Sequence, residues 1–525
     1  LGRAEIFRAA LLWLPALLVT ALVLLPLIYL VVRAIGADRS AWGLILGPRG
    51  AATLLRSLGL ALAVTVASIG LALPLAWLTV RTDLPLARLW SVLTALPLVI
   101  PSYIGAYLYV AMLGPRGMLQ HWLEAPFGIQ RLPDIYGFPG AFLVLTLFTY
   151  PYLLLLLRAS LQQMDPALEA ASRSLGLGPW RSFRRVVLPQ LRPSLAAGSL
   201  LVALYTLRDF GAVSIMRYDS FTRVIYLQYK SAFDRSSAAL MALGLALVAG
   251  VLVSLERSAA RRARYHRSGA QTARHAQPIQ LGVWRWPALL FCSLISLVGL
   301  ILPAGVLGYW LWRGLAAGER LADLGPALWG SLSGAGLAAG FTLLAALPLA
   351  LVTVRHPGRR ERLLLGLAWT GYALPGLVVA LGLVFFGVRY ALPLYQSLLL
   401  LIAAYVILFL PMALGALRSA LLQIHPSLEE AARSLGFGPS RAFRAVVLPL
   451  LRPGLGAALA LVFLSAMKEL PATLILSPIG FETLATRTWS AVGEAFFARA
   501  ALPSLLLVAL SSLPMSLLAL REQAA

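Results

Sequence analysis

Two adjacent charge pairs, Arg208-Asp209 and Lys468-Glu469, stand inside apolar sequence. A charge near mid-bilayer costs about 2.5–3.5 kcal/mol on insertion scales, so intramembrane charges face a cavity or one another. Neighbouring residues on one helix diverge by about 100° and do not face each other, so any partner must come from another helix. These four residues are candidates for a translocation path or its gate. The structural alternative is that they lie nearer the surface or staple helices together. Tyr103 and Tyr107, spaced i, i+4 after Pro101, form a second set, with Tyr109 close by. A phenolate oxygen suits a hard cation, while an interfacial aromatic belt accounts for the same residues. The five histidines, His121, His266, His275, His356 and His425, show no ligand spacing, and the single Cys292 lies in an apolar run. Neither a metal site nor a disulfide framework is expected.

The strongest signal is a repeated loop. Residues 164–193 and 424–453 align at an offset of 260, with 20 of 30 positions identical. The first copy reads MDPALEAASRSLGLGPWRSFRRVVLPQLRP and the second IHPSLEEAARSLGFGPSRAFRAVVLPLLRP. Asp165-Pro166 places a good N-cap before a helix-starting proline, and His425-Pro426 keeps the proline with a poorer cap. Each copy predicts two short helices joined at an elbow, Gly176-Leu177-Gly178-Pro179 and Gly436-Phe437-Gly438-Pro439. The first helix carries Glu169 and Arg173 in one copy and Glu429 and Glu430 in the other. The second carries Arg181 and Arg184, matched by Arg441 and Arg444, and is expected to stop at Leu188-Pro189 and Leu448-Pro449. An amphipathic helix of this kind could lie on the lipid interface. Its appearance twice, with the same elbow, favours a docking helix for a partner at the cytoplasmic face.

The elements that position these residues follow from composition. The chain has 525 residues, 60% hydrophobic and 12% charged, with mean hydropathy +0.83. A soluble chain carries about 25% charge, so soluble, disordered and secreted disulfide-rich classes are excluded. Twelve runs are long enough to span a bilayer. They are 10–32, 57–80, 89–113, 140–157, 194–216 and 238–255, then 286–312, 328–354, 363–387, 391–416, 454–477 and 500–520. The net charge of +24 would ordinarily raise nucleic acid as a partner, but in a membrane chain it follows from Arg retained in inner loops. The segment 256–285, with Arg257, Arg261, Arg262, Arg264, Arg267, Arg274 and Arg285, anchors that sidedness near anionic lipid and places both termini in the cytoplasm. Nucleic acid is therefore not an expected partner; the lipid bilayer is.

Upstream of the loops the halves align at an offset of 274: Pro74 with Pro348, Thr79-Val80-Arg81 with Thr353-Val354-Arg355, Pro101 with Pro375. The difference from 260 places an extra stretch in the loop 114–139. The fold class expected is an all-α integral membrane protein of twelve transmembrane helices in two parallel six-helix repeats. The first half is 1–255 with its loop at 158–193. A linker, 256–285, leads to the second half, 286–525, with its loop at 418–453.

Glu430-Ala431-Ala432, then Gly436, then Val446-x-Leu448-Pro449, resembles the EAA loop of inner-membrane permeases of ABC importers. The first copy departs from that pattern: Glu169 falls one place early, matching Glu429, and Ala170 stands where Glu430 does. Segments 222–229, 209–212 and 468–473 resemble the fused permeases of ferric-iron importers, so the likeness covers essentially the whole chain. The resemblance implies a type I importer fold in a bacterial inner membrane, working by alternating access. It implies two copies of a separate ATPase subunit, which bind ATP and Mg, docked on the two loops. It also implies an external substrate-binding protein that delivers ferric iron. No G-x-x-x-x-G-K-[ST] phosphate loop occurs, so this chain holds no ATP of its own and is not expected to be an enzyme. Permeases for thiamine or other small solutes share the architecture, and a 6+6 proton-coupled carrier is the rival from another class. In such a carrier the repeated signature would follow the second helix of each half. The paired loops around 217–237 and 478–499 each carry an amphipathic stretch, suited to a pore mouth, to receiving a binding protein, or to lying at the interface.

Overall fold

The computed structural model describes residues 3–230, 235–262, 278–318, 324–355 and 358–524. Among the described residues all regular elements are helical, apart from one isolated bridge between Thr82 and Ile279. Among the described residues, nine helices are long and apolar enough to cross a membrane: Trp13–Ile35, Pro48–Arg81, Phe138–Gln163, Trp180–Arg208, Ser236–Ser254, Gly282–Ala316, Gly325–Arg355, Leu398–Gln423 and Pro439–Lys468. A tenth is the pair Ala87–Val99 and Ser102–Phe127, bent by 96°. The shorter apolar helices Gly376–Tyr390 and Phe497–Ser512 fall at the two remaining expected positions. The chain is a multi-pass membrane protein with the helix order of a twelve-span double repeat. Of the linker 256–285, residues 263–277 lie outside the described residues, with Arg264, Arg267, Arg274, His266 and His275; His356 does too.

Two compact units make up the chain, and they cut across the sequence halves. One comprises Leu1–Ile45, Ile225–Ala246 and Gly318–Ala525; the other comprises Leu46–Val224 and Leu247–Ala317. In the first unit, the helix Arg3–Ile35 packs on Gly325–Arg355 and Gly376–Tyr390. Pro26 fits against Gly382, where a Cβ would come within 2.7 Å of the proline ring. Tyr29 meets the rings of Phe385 and Tyr390 at 6.0 and 6.1 Å. In the second unit, Pro48–Arg81 packs against Phe138–Gln163 and Leu188–Arg208. Gly198 lets these helices close up, since a Cβ there would lie 2.3 Å from Leu153. Small residues at the contact and bulky ones outside are what a bilayer selects, because lipid supplies no hydrophobic drive between helices. The outward stripe Leu55, Leu62, Val66 on Pro48–Arg81 is correspondingly exposed.

Several spans differ from the uninterrupted helices expected. The run 194–216 ends at Arg208 and restarts as Gly211–Ile215; the run 454–477 ends at Lys468 and restarts as Pro471–Leu476. The run 363–387 divides at Leu374-Pro375, since the residue before a proline avoids the helical region. The run 391–416 begins its helix only at Leu398, after a 3₁₀ turn. The loop 114–139 contains a helix, Met118–Phe127. The expected stops at Leu188-Pro189 and Leu448-Pro449 do not occur. Each proline instead follows a π-helical turn, Phe183–Val187 or Phe443–Val447, and the helix continues to Arg208 or Lys468. The wide turn lets Leu188 donate to the Phe183 carbonyl, five residues back, so the ladder passes a residue that has no N–H.

Candidate functional site

The two repeated loops fold alike. Asp165 accepts the Ala167 N–H at 2.9 Å and starts the helix Pro166–Ser174; His425 Nδ1 accepts the Ser427 N–H at 3.3 Å and starts Pro426–Ser434. The longer bond fits the poorer cap read from the sequence. Each helix ends in a Schellman motif. Gly176 N–H donates to Arg173 and Leu177 N–H to Ser172; Gly436 donates to Arg433 and Phe437 to Ala432. Gly176 and Gly436 have φ of 82° and 85°, the left-handed region that disfavours a Cβ. The second glycine of the elbow has no such demand: Gly438 is extended, at φ −63° and ψ 159°, before Pro439 opens the next helix. Gly178 holds the equivalent place before Pro179. Where the two short helices touch, the first loop uses a hydrogen-bonded buried pair, Ser172 and Ser182, and the second uses Ala432 and Ala442.

The charges of the loops divide into two groups. Glu169 pairs with Arg173 at 2.7 Å, and Glu429 pairs with Arg433 at 3.0 Å, with Arg355 at 3.6 Å on its other oxygen. Glu430, Arg181, Arg184, Arg441 and Arg444 are exposed, with the Arg441 guanidinium over the Phe437 ring at 4.7 Å. At the tip of each elbow stands an exposed leucine, Leu175 at 83% and Leu435 at 80%. The structure therefore aligns Glu169 with Glu429 as the acid common to both loops.

The intramembrane charges sit at the breaks of the broken spans. Asp209 is buried and extended, at φ −63° and ψ 129°. Its Oδ1 accepts the N–H groups of Ala212 and Val213 at 2.9 and 3.3 Å, and its Oδ2 accepts the Ser102 hydroxyl. Its carbonyl accepts Thr222 Oγ1 at 2.6 Å. In the other unit, Glu469 Oε1 accepts the Ala472 N–H at 3.2 Å, and its carbonyl accepts Thr473 Oγ1 at 2.7 Å. The residue aligned with Ser102 is Gly376, and a Cβ there would stand 2.3 Å from Glu469 Oε1. The longer acid is matched with the absent side chain, and the shorter acid with a serine. Arg208 and Lys468 are the last residues of their helices and half-buried. Tyr103 and Tyr107 are 3% and 0% exposed on the helix Ser102–Leu113, which removes them from a lipid-facing belt. Tyr103 packs directly on Gly211, beside the Asp209 break.

Three features escaped the sequence reading. Arg158 is buried and donates to Thr79 Oγ1, the Ser91 carbonyl and Thr94 Oγ1 at 3.1, 2.6 and 2.9 Å, tying three segments of its unit. Its counterpart Arg418 lacks the second hydroxyl, because Ala368 stands where Thr94 does, and its Nε is buried without a partner. Arg81 and Arg355 close the long second span of each half; their place in a repeated Thr-Val-Arg was visible, their role was not. Finally, the loop 478–499 frames a cavity of about 510 Å³, lined by Glu482, Thr486, Arg487, Ser490, Glu494 and Arg499 among others. The amphipathic stretches expected on either side are the helices Phe221–Lys230 and Leu484–Gly493.

Two copies of a transport module, each with a bent span and an elbowed loop before its fifth helix, define the class. The chain belongs to the family of binding-protein-dependent transport system inner membrane components, whose domain matches it twice, over residues 68–265 and 338–524. It is 33% identical to the Fe(3+)-transport system permease protein FbpB 2 of Haemophilus influenzae, over 94% of this chain and 95% of that one. It is 26% identical to the ferric transport system permease protein FbpB of Actinobacillus pleuropneumoniae, over 74% and 59%. A shorter match, 34% over 22% of this chain and 50% of the other, is to the molybdenum transport system permease protein ModB of Escherichia coli.

Proposed function

We propose that the chain is a two-half permease of an ATP-driven importer, that ferric iron is its substrate, and that an external binding protein delivers it. The observation that carries the reading is the duplicated elbow. The same glycine-turned pair of short helices, with an exposed leucine at its tip, recurs in the same geometry in both charged loops, as a docking surface used twice would. The partner is a pair of ATPase subunits, which bind ATP and Mg, one at each loop. The docking residues are Glu169, Arg173, Gly176, Gly178, Pro179, Arg181 and Arg184, with Glu429, Glu430, Gly436, Gly438, Pro439, Arg441 and Arg444. Both loops and both termini then lie in the cytoplasm, and the loop 478–499 faces the binding protein. The substrate rests on the two ferric permeases that the chain resembles, one of them along nearly its whole length.

Within the membrane, Asp209 and Glu469 pin the breaks of their spans by capping the short helices that follow, while Arg208, Lys468, Tyr103 and Tyr107 stand beside those breaks at the gate. Each half rocks about a fixed break, not along a flexible helix. The test is uptake of ⁵⁵Fe(III) into proteoliposomes holding this chain, its ATPase and its binding protein. Uptake should require ATP and the binding protein, and should be lost when Leu175→Ser and Leu435→Ser are combined, with the membrane part still folded. Uptake driven by a proton gradient without the ATPase would overturn the importer reading.

A further inference from the structure

Arg81 and Arg355 are the unassigned residues with the most to explain. Each ends the second span of its half, Pro48–Arg81 or Gly325–Arg355; Arg355 pairs with the acid of its loop, and Arg81 lies within electrostatic reach of the equivalent acid. Arg355 Nη2 is 3.6 Å from Glu429 Oε2, while Glu429 Oε1 holds Arg433 at 3.0 Å. In the other unit, Glu169 holds Arg173 at 2.7 Å and acts electrostatically on Arg81. Arg81 is 4% exposed, and the buried Nε and Nη2 of both arginines make no hydrogen bond, Arg355 Nη2 stopping just short of Glu429. A guanidinium has five N–H donors, and leaving them idle away from water costs about 1–3 kcal/mol or more for a charged group.

We infer that Arg81 and Arg355 are positioning residues that carry the displacement of each coupling helix into the second membrane span, through Glu169 and Glu429. Three observations converge. The acid and the arginine recur in both halves although they align at different offsets, 260 and 274, so the pairing spans the one insertion that separates the repeats. Only the acid position that meets the arginine is common to the two loops; the Glu430 position is alanine in the first. The contact is also incomplete. At 3.6 Å with idle donors, it is longer than a charge-assisted hydrogen bond of about 2.7–2.9 Å, and a shift of about 1 Å by the loop helix would close it. Glu429 is thereby shared between Arg433, which moves with its own helix, and Arg355, fixed to the span; Glu169 holds Arg173 with Arg81 placed to play the second part. Such a carboxylate changes the load on the span whenever the helix moves.

This inference rests on the coupling role proposed for the loops, and its test separates the two. The complex with its ATPase and binding protein is reconstituted with Arg81→Gln/Arg355→Gln, and in parallel with Arg81→Lys/Arg355→Lys. Assembly and basal ATP hydrolysis are expected to persist in the Gln pair, while iron transported per ATP falls about tenfold; the Lys pair should keep half or more. Unchanged stoichiometry in the Gln pair would overturn the inference, as would equal losses in the Gln and Lys pairs. Absence of ATP-dependent uptake by the unsubstituted complex would instead sink the importer reading. In that event hydrogen exchange on the chain alone decides. Arg355→Gln should speed exchange several-fold in Pro426–Ser434, and no change there would count against the link.

Discussion

Gly376→Ser tests whether the two halves compensate residue for residue. A Cβ at position 376 would stand 2.3 Å from Glu469 Oε1, 3.2 Å from its Cδ and 3.3 Å from Pro471 Cγ. The carboxylate is not free to swing aside, because Oε1 accepts the Ala472 N–H at 3.2 Å. The serine therefore either overpacks the break, at about 1–3 kcal/mol, or breaks that cap at a similar cost. Glu469→Asp alone can still cap Ala472, as Asp209 caps Ala212, but it draws the carboxylate back from Gly376 and leaves a gap where the other half has the Ser102 donor, again costing about 1–3 kcal/mol. The double variant rebuilds the arrangement of the other half, where Ser102 donates to Asp209. The expected coupling energy is about 1–3 kcal/mol in the stabilising direction. Thermal unfolding of the purified chain in one detergent gives the order: both singles fall by several degrees, and the double recovers above either. A double whose loss equals the sum of the singles would refute the compensation.

Gly436→Ala and Gly176→Ala put a Cβ on a left-handed residue, at about 1–2 kcal/mol each. They should reduce the ATPase recovered with the chain on affinity purification, with little change in its thermal stability. Arg158→Ala leaves Thr79, Thr94 and the Ser91 carbonyl without their donor and should lower the unfolding temperature markedly more than Arg418→Ala, whose Nε is already unpartnered. Asp83 accepts the Leu281 N–H at 2.8 Å and Arg285 at 2.9 Å, which hold its carboxyl below the usual range. A lowered folded pKa gives a contribution that is complete above the unfolded value and fades only as pH falls through the folded one. Tryptic cleavage after Arg285, taken relative to an unstructured reference peptide at the same pH, should therefore be flat from about pH 6 to 9. It should be faster at every pH in Asp83→Asn.

The repeated loops were legible because their signals are local: a capping acid before proline, and a glycine at the one left-handed residue of each elbow. Those rules hold wherever the helix goes. The broken spans were not legible, because the charges that cap a break read, in sequence, like charges inside a continuous span. Asp209 only becomes a cap once Gly211–Ile215 restarts behind it. Pro189 misled for a similar reason, since a proline ends an α-helix, yet the π turn before it removes the need for its N–H. The match of Glu169 with Glu429 was legible at the 260 offset, but the pairing of each with the arginine four residues on was not.

The helix Arg3–Ile35 carries a constraint on how the molecule is made. Its buried residues Ala16, Val23 and Leu30 are covered within a unit otherwise built largely from the far end of the chain. Between Ile35 and Gly325, where the first long helix it packs on begins, 290 residues must be synthesised. At about 5–20 residues per second, that is roughly 15–60 s. For that interval the first span lacks Gly325–Arg355, though Leu240 is made earlier and packs in the cluster at its Ala34 end. Its face of Ala16, Val23 and Leu30 is turned to lipid until that helix arrives. The order of synthesis, and not only the final packing, thus sets how apolar that first helix has to be.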